Sequence, residues 1–263
     1  MSKTYTCTFL LALLFVPLLK LSAQNRPDSS LTTAGRSAVS LYNKTLNDRL
    51  GLYRGPEVMA YSLRSATNPN FRDTSDFFDE GVINYDNRMY YHVPLLYNVE
   101  RDMVETHKPT AEAYNLLSDR LISFDMLGRH FIRVVPDAGN KIMTPGFYEV
   151  LYDGKVQLLA RHIKTVQTQA TSKSTINVFY PKTTYFLKKG GTYYNVNSQG
   201  KLIDALAINE ALTGKDKKQE LQDYEKAKTK ELEQYVKSNK ADFGDNTARA
   251  LVLITAYYDH LKN

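Results

Sequence analysis

The chain has 263 residues, 34 Lys and Arg against 28 Asp and Glu for a net charge of +6, nineteen tyrosines, no tryptophan and one cysteine. A lone cysteine, Cys7, excludes an internal disulfide framework and every cysteine-ligated metal site, so stability must come from a hydrophobic core, which a chain of this length can build. The mild basicity interleaves with acids in the last third, as on an ion-paired solvated face, and excludes a nucleic-acid footprint.

Residues 1–23 read as an export signal. Lys3 supplies a positive start, Phe9 to Leu19 an apolar run, and Leu21-Ser22-Ala23 a small-residue end before Gln24, with cleavage expected after Ala23. The apolar run is too short for a comfortable span, and Pro17 and Lys20 interrupt it. No integral membrane span is expected after cleavage. Cys7 precedes the main apolar run, which disfavours a lipidation site, and it leaves with the signal. A mature chain without cysteine suits a bacterial envelope or secreted protein.

Residues 24–36 are polar, carry Pro27 and Ser29-Ser30, and read as a disordered leader. From Ser37, the positions Val39, Leu41, Tyr42, Leu46 and Leu50 recur at helical spacing until Gly51 and Gly55-Pro56 stop them. The pattern then turns to strands as far as Asn197. Val58 to Leu63 is a short strand and Ala66 to Asp79 a loop. Gly81 to Tyr85 and Met89 to Tyr97 flank the turn Asp86-Asn87-Arg88. Met103 to Thr106 is a strand, Leu116 to Phe124 is ambiguous, and Gly128 to Val135 is a strand. Phe147 to Tyr152 and Lys155 to Val166 flank Asp153-Gly154, the strongest hairpin signal because both positions tolerate positive φ. Residues 165–175 are either a mobile loop or an exposed strand end. Thr183 to Lys188 and Thr192 to Val196 flank Lys189-Gly190-Gly191, a third hairpin.

The segment 198–263 is helical: Leu202 to Leu212, then Lys215 to Lys240 with Leu221, Tyr224, Leu232, Tyr235 and Val236 on one stripe, then Ala248 to Leu261 with Leu251, Ile254, Tyr258 and Leu261 repeating. Asp245 or Asn246 can cap the last helix. The expected fold is α+β: an antiparallel β-meander, as a curled sheet or open barrel, with an N-terminal helix and a C-terminal helical hairpin packed on the sheet or on itself. The organisation is then signal 1–23, leader 24–36, helix and sheet 37–197, and helical region 198–263.

No catalytic, cofactor-binding or metal-ligating residue is assigned. His92, His107, His130, His162 and His260 lack metal-site spacing, and His92 and His130 read as structural or half-buried strand residues. Asp73, Asp76, Asp79 and Glu80 lack the glycine and alternation of a calcium loop. Lys188 to Thr192 lacks the phosphate-loop spacing and reads as a turn. No Gly-x-Ser-x-Gly elbow occurs. Glycoside hydrolysis needs two carboxylates and no linear motif, so Glu80, Asp86, Glu100, Asp102 and Glu149 stay in the pool, with Glu149, Asp102 or His130 as guesses for a hydrolase.

The run Gly81-Val-Ile-Asn-Tyr85-Asp-Asn-Arg-Met-Tyr90-Tyr-His-Val93-Pro-Leu-Leu-Tyr97-Asn resembles exported β-rich proteins of Bacteroidetes-type Gram-negative bacteria. Gly146 to Leu159, Thr184 to Lys189 and Tyr257-Tyr258-Asp259 agree, so the resemblance covers about Tyr42 to Leu261. It implies export and carries no activity or catalytic residue. The leading expectation is a periplasmic, outer-membrane-associated or secreted protein that binds protein or glycan without catalysis. The alternatives are an exported hydrolase of glycan or peptide and, more remotely, an outer-membrane barrel.

Overall fold

The computed structural model describes residues 33–45, 51–59, 65–71, 79–108, 112–209, 218–239 and 246–261. The expected signal, most of the leader, and the calcium-like Asp73 and Asp76 lie outside them.

Among the described residues ten strands form one antiparallel, open sheet: β1 (Asp79–Tyr85), β2 (Arg88–Asn98), β3 (Met103–His107), β4 (Ala113–Asn115), β5 (Leu121–Met126), β6 (Arg129–Val134), β7 (Gly146–Asp153), β8 (Gln157–Ala170), β9 (Thr175–Lys189) and β10 (Thr192–Asn195). Their order is β10-β9-β8-β7-β6-β5-β1-β2-β3-β4. The α+β expectation holds, with the sheet open and not closed into a barrel. Chain order and sheet order part at one place, where β1 pairs with β5 as well as β2.

The hairpins follow local chemistry. Asp86 (φ 53°) and Asn87 (φ 60°) turn β1 into β2, and Gly190 (φ 54°) and Gly191 (φ 87°) turn β9 into β10, both as two-residue loops of the kind that needs positive φ. Leu127 (φ 54°) and Gly128 (φ 71°) do the same between β5 and β6. The β7–β8 hairpin is present with a different turn. Asp153 pairs with Gln157, so three residues form the loop, and neither Asp153 nor Gly154 has positive φ. The ambiguous stretch Leu116 to Phe124 divides into a turn and the start of β5. Residues 165–175 are strand ends: β8 and β9 stay paired out to Ala170 and Thr175. For the expected strand Val58 to Leu63, the described part makes an isolated bridge from Glu57 to Tyr114 and a bond from Val58 N–H to Ala113.

The segment 65–71 is a strap across the sheet. Ser65 bridges Asn177 on β9 and Asn70 bridges Asn98 at the end of β2. Thr67 Oγ1 both accepts from Phe179 N–H (2.7 Å) and donates to its carbonyl (3.2 Å). The buried Lys164 of β8 donates to the carbonyls of Asn70 (2.6 Å) and Asn68 (3.0 Å). The strap therefore satisfies part of β9's outer edge, β10 another part, and Pro181, with no N–H to offer, lies between them.

One sheet face carries two apolar clusters. Tyr97, Phe124, Phe131 and Phe147 pack with Leu52 and Leu116 and against Phe71 of the strap. Leu158, Leu187 and Val196 pack with Leu202 and Leu206 of α2 (Gln199–Ala207), Leu232 and Val236 of α3 (Lys218–Asn239), and Leu251 and Ile254 of α4 (Thr247–His260). The helices thus bury against the sheet and each other, and the rings of Tyr235 and Tyr257 stack at 3.8 Å between α3 and α4. Each fully buried Leu contributes about 1.5–3 kcal/mol. Asn246 sits at the N-cap of α4, though its side chain makes no capping bond.

The N-terminal helix, α1, spans Thr33–Thr45, beginning four residues before the expected Ser37 and inside the expected leader. Its predicted stripe is not buried as a unit: Leu41 and Tyr42 are 65% and 64% exposed. The helix packs on β2, and Leu46 and Leu50 of the expected stripe lie outside the described residues.

Candidate functional site

On the face of the sheet opposite the two clusters, alternation brings a row of side chains together across four strands. Val82 on β1 lies opposite Tyr91 on β2 and Asp125 on β5, and Asp125 lies opposite His130 on β6. Two residues before Val82, Glu80 shares that face. Gly81 pairs with Val93 and Val82 with Tyr91, so His92 is the extra residue of a bulge, held at φ 58°. Bulges re-aim side chains, and this one turns His92 Nδ1 onto Glu80 Oε1. His130 Nδ1 meets Asp125 Oδ1 at 2.6 Å, and that bond raises the His130 pKa above its usual value.

With Arg36 and Ser37 of α1 as the other wall, Glu80, Val82, Tyr91, His92 and Asp125 border a groove of about 520 Å³ whose floor includes Gly81 and Met126, and His130, paired to Asp125, does not line it. Both carboxylates are well exposed, Glu80 at 65% and Asp125 at 48% of their side chains. The two histidines expected to be half-buried strand residues are therefore solvent-facing partners of carboxylates, His92 because the bulge lifts it out of the strand's alternation.

The other acids of the pool occupy separate places. Glu149 is buried on the opposite face, between the two apolar clusters, where Arg129 donates to one oxygen (2.6 Å) and His162 Nε2 lies 2.7 Å from the other. Burial pushes its pKa up, yet the bonds from His162 and Arg129 outweigh it and hold the carboxyl below its ordinary value. Phe71 of the strap packs edge-on to His162 at 4.9 Å. A carboxylate so neutralised is a structural anchor. Asp102 accepts from Tyr97 Oη (2.7 Å) and Arg161 (3.0 Å), and burial together with this carboxylate raises Tyr97 well above the ordinary phenol value. Asp86 pairs with Arg120, and Glu100 with Arg101. The guesses Glu149, Asp102 and His130 thus fall in three different clusters.

Among the described residues no three His, Cys, Asp or Glu side chains converge as metal ligands, and no helix is long and apolar enough to cross a membrane. His107 Nδ1 meets the Lys108 carbonyl, and the Lys188–Thr192 segment is a hairpin turn whose Lys189 instead donates to the last carbonyls of α2. Ser198 and Lys201 have the Ser-x-x-Lys spacing of some serine nucleophiles. Ser198 is the N-cap of α2, its oxygen accepting from Lys201 N–H.

Comparisons with protein-family models, curated proteins and solved structures find no match to this chain. The groove residues that sequence reading missed are Asp125, Tyr91 and Arg36. Nothing local marks them, since they meet only through strand register and the packing of α1.

Proposed function

We propose that the protein is an exported bacterial envelope or secreted protein that acts as a non-enzymatic binding module for protein or glycan, with the groove under α1 as its contact site. The open, polar-walled groove carries this reading, because a cavity of this size with a few convergent polar groups and an aromatic wall is the ordinary form of a ligand site. Export is supported by the charged start, apolar run and small-residue end of residues 1–23, and by the resemblance carried by residues 81–98.

A hydrolase is the second reading, favoured by the presence of Glu80 and Asp125 in one groove. Against it, both are exposed and each is engaged by an imidazole, whereas a glycosidase houses its acid in apolar, dehydrated surroundings.

The test is to incubate the protein, processed after Ala23, with peptidoglycan, outer-membrane polysaccharide and solubilised envelope proteins, following binding and cleavage together. Saturable binding without products, weakened in Tyr91→Ala, is the expected result. Turnover abolished by Asp125→Asn would replace the binding module with the hydrolase. Mass spectrometry of the native protein should find Gln24 at its N-terminus in an envelope or medium fraction, and a cytoplasmic protein retaining residues 1–23 would refute export.

A further inference from the structure

We infer that the groove under α1 is a subsite for a neutral saccharide. This rests on the docking role proposed above and names the ligand class for it.

The hydrogen-bonding equipment is that of a hydroxyl binder. Each sugar hydroxyl is both donor and acceptor, so a site for it needs acceptors and groups of adjustable role side by side. Glu80 and Asp125 each meet an imidazole through one oxygen, Oε1 and Oδ1, which leaves the second oxygen of each to accept from a hydroxyl. His92 uses Nδ1 in its contact, and its Nε2 remains as donor or acceptor according to tautomer. The carboxylates are thereby fixed in orientation before any ligand arrives, which lowers the ordering cost of binding.

The walls supply the apolar half. Tyr91 stands beside Val82 across the strand pair and lines the groove with Leu127. An aromatic face bordered by planar polar side chains suits a ring that has C–H bonds on one side and hydroxyls at its edge.

Charge excludes the neighbouring classes. The groove's ionisable lining is Glu80 and Asp125 against Arg36 and the imidazole of His92, so it has no surplus cation to select a phosphate or uronate, and its acids are already engaged by imidazoles before a lysine-rich peptide could claim them. A divalent cation lacks a third ligand among the described residues. The groove is open to solvent and larger than one sugar ring requires, which fits a stretch of oligosaccharide.

The experiment is a backbone-amide NMR titration of the purified protein with maltotriose, cellotriose, xylotriose, mannotriose and chitotriose in turn, with Lys-Gly-Lys as the peptide probe. The expected result is saturable shifts at 80–82, 91–92 and 125–128 with at least one trisaccharide, and about tenfold or greater weakening in both Tyr91→Ala and Asp125→Asn while their thermal midpoints stay near that of the parent. If no trisaccharide shifts these amides and Lys-Gly-Lys does, the saccharide assignment is overturned and the docking role stands. If these amides respond to none of the probes, and binding to envelope fractions persists undiminished in Tyr91→Ala, the docking role falls as well.

Discussion

Asp259, in the last turn of α4, accepts from the backbone N–H of Lys155 (3.0 Å to Oδ1) and lies so close over Gly154 that a Cβ there would come 2.2 Å from its carboxylate. The same carboxylate accepts from Tyr152 Oη at 2.9 Å. The glycine of the β7–β8 turn is thus required by the approach of a distant helix and not by its own φ. Asp259→Ala should destabilise the fold by about 1–3 kcal/mol through loss of these bonds. Gly154→Ala should cost a similar amount by displacing Asp259, and the double variant should fall well short of the sum, because both changes remove one contact. Urea unfolding of the three variants measures this, and full additivity would contradict it.

Glu149 makes the fold acid-sensitive. Its carboxyl pKa is lowered in the folded state, chiefly by the bonds from His162 and Arg129 against the opposing effect of burial. A depressed carboxyl contributes stability that is present above the unfolded value of about 4.3 and is lost as pH falls through the folded value. Unfolding free energy should therefore drop below about pH 4.3 in the parent and drop less steeply in Glu149→Gln, which starts from lower stability at neutral pH. Arg129→Met should cost roughly 2 kcal/mol at pH 7, less than for a fully buried pair because Arg129 is half exposed. Equal acid slopes for parent and Glu149→Gln would refute the assignment.

Lys164 holds the strap. Its ammonium, nearly buried, spans from β8 to the carbonyls of Asn68 and Asn70. Lys164→Met keeps the stem's packing and removes the donor, so the expected loss is about 1–3 kcal/mol. It should also speed hydrogen exchange at the amides of Ala66 and Phe71, which bond to Asn177 and Tyr97, while the β5–β6 amides stay protected. Unchanged exchange across 65–71 would show that the strap is held by other contacts.

At His92 stability and binding should move in opposite directions. A residue with a Cβ at φ 58° is strained by roughly 1 kcal/mol, which glycine relieves. His92→Gly should keep or raise the thermal midpoint while weakening binding in the groove, and His92→Val should lower both. Loss of stability in His92→Gly comparable to that in His92→Val would mean that the contact with Glu80, not the bulge, dominates the site's energetics.

The fold was legible where a feature is short-range. Asp86-Asn87 and Gly190-Gly191 announce their turns because positive φ is a property of two adjacent residues. Leu127-Gly128 makes the same turn without announcing it, since leucine at φ 54° is tolerated only because the strands on either side demand it. Asp153-Gly154 marks a hairpin correctly for a reason that the structure replaces. The insertion of β1 between β2 and β5 leaves no local trace, and with it goes the groove, whose residues come from α1, three strands and the β5–β6 turn. Glu149 could be named from the sequence as an acid worth watching, but its meaning depends on Arg129 and His162, supplied by the two neighbouring strands.

The departure of sheet order from chain order at β1 has a kinetic consequence. Every other neighbouring pair of strands is joined by a direct connection, whereas pairing β1 with β5 closes the loop formed by residues 86–120. Two ladders, β1 to β4 and β5 to β10, can each zip up from their own turns, and the seam between them carries the larger closure entropy. If the seam forms after the rate-limiting barrier, weakening it at Ile83 or Phe124 will steepen loss of the native state chiefly through faster unfolding, with refolding little changed. The chain would then be a protein whose lifetime, more than its speed of assembly, is set by a single strand pairing.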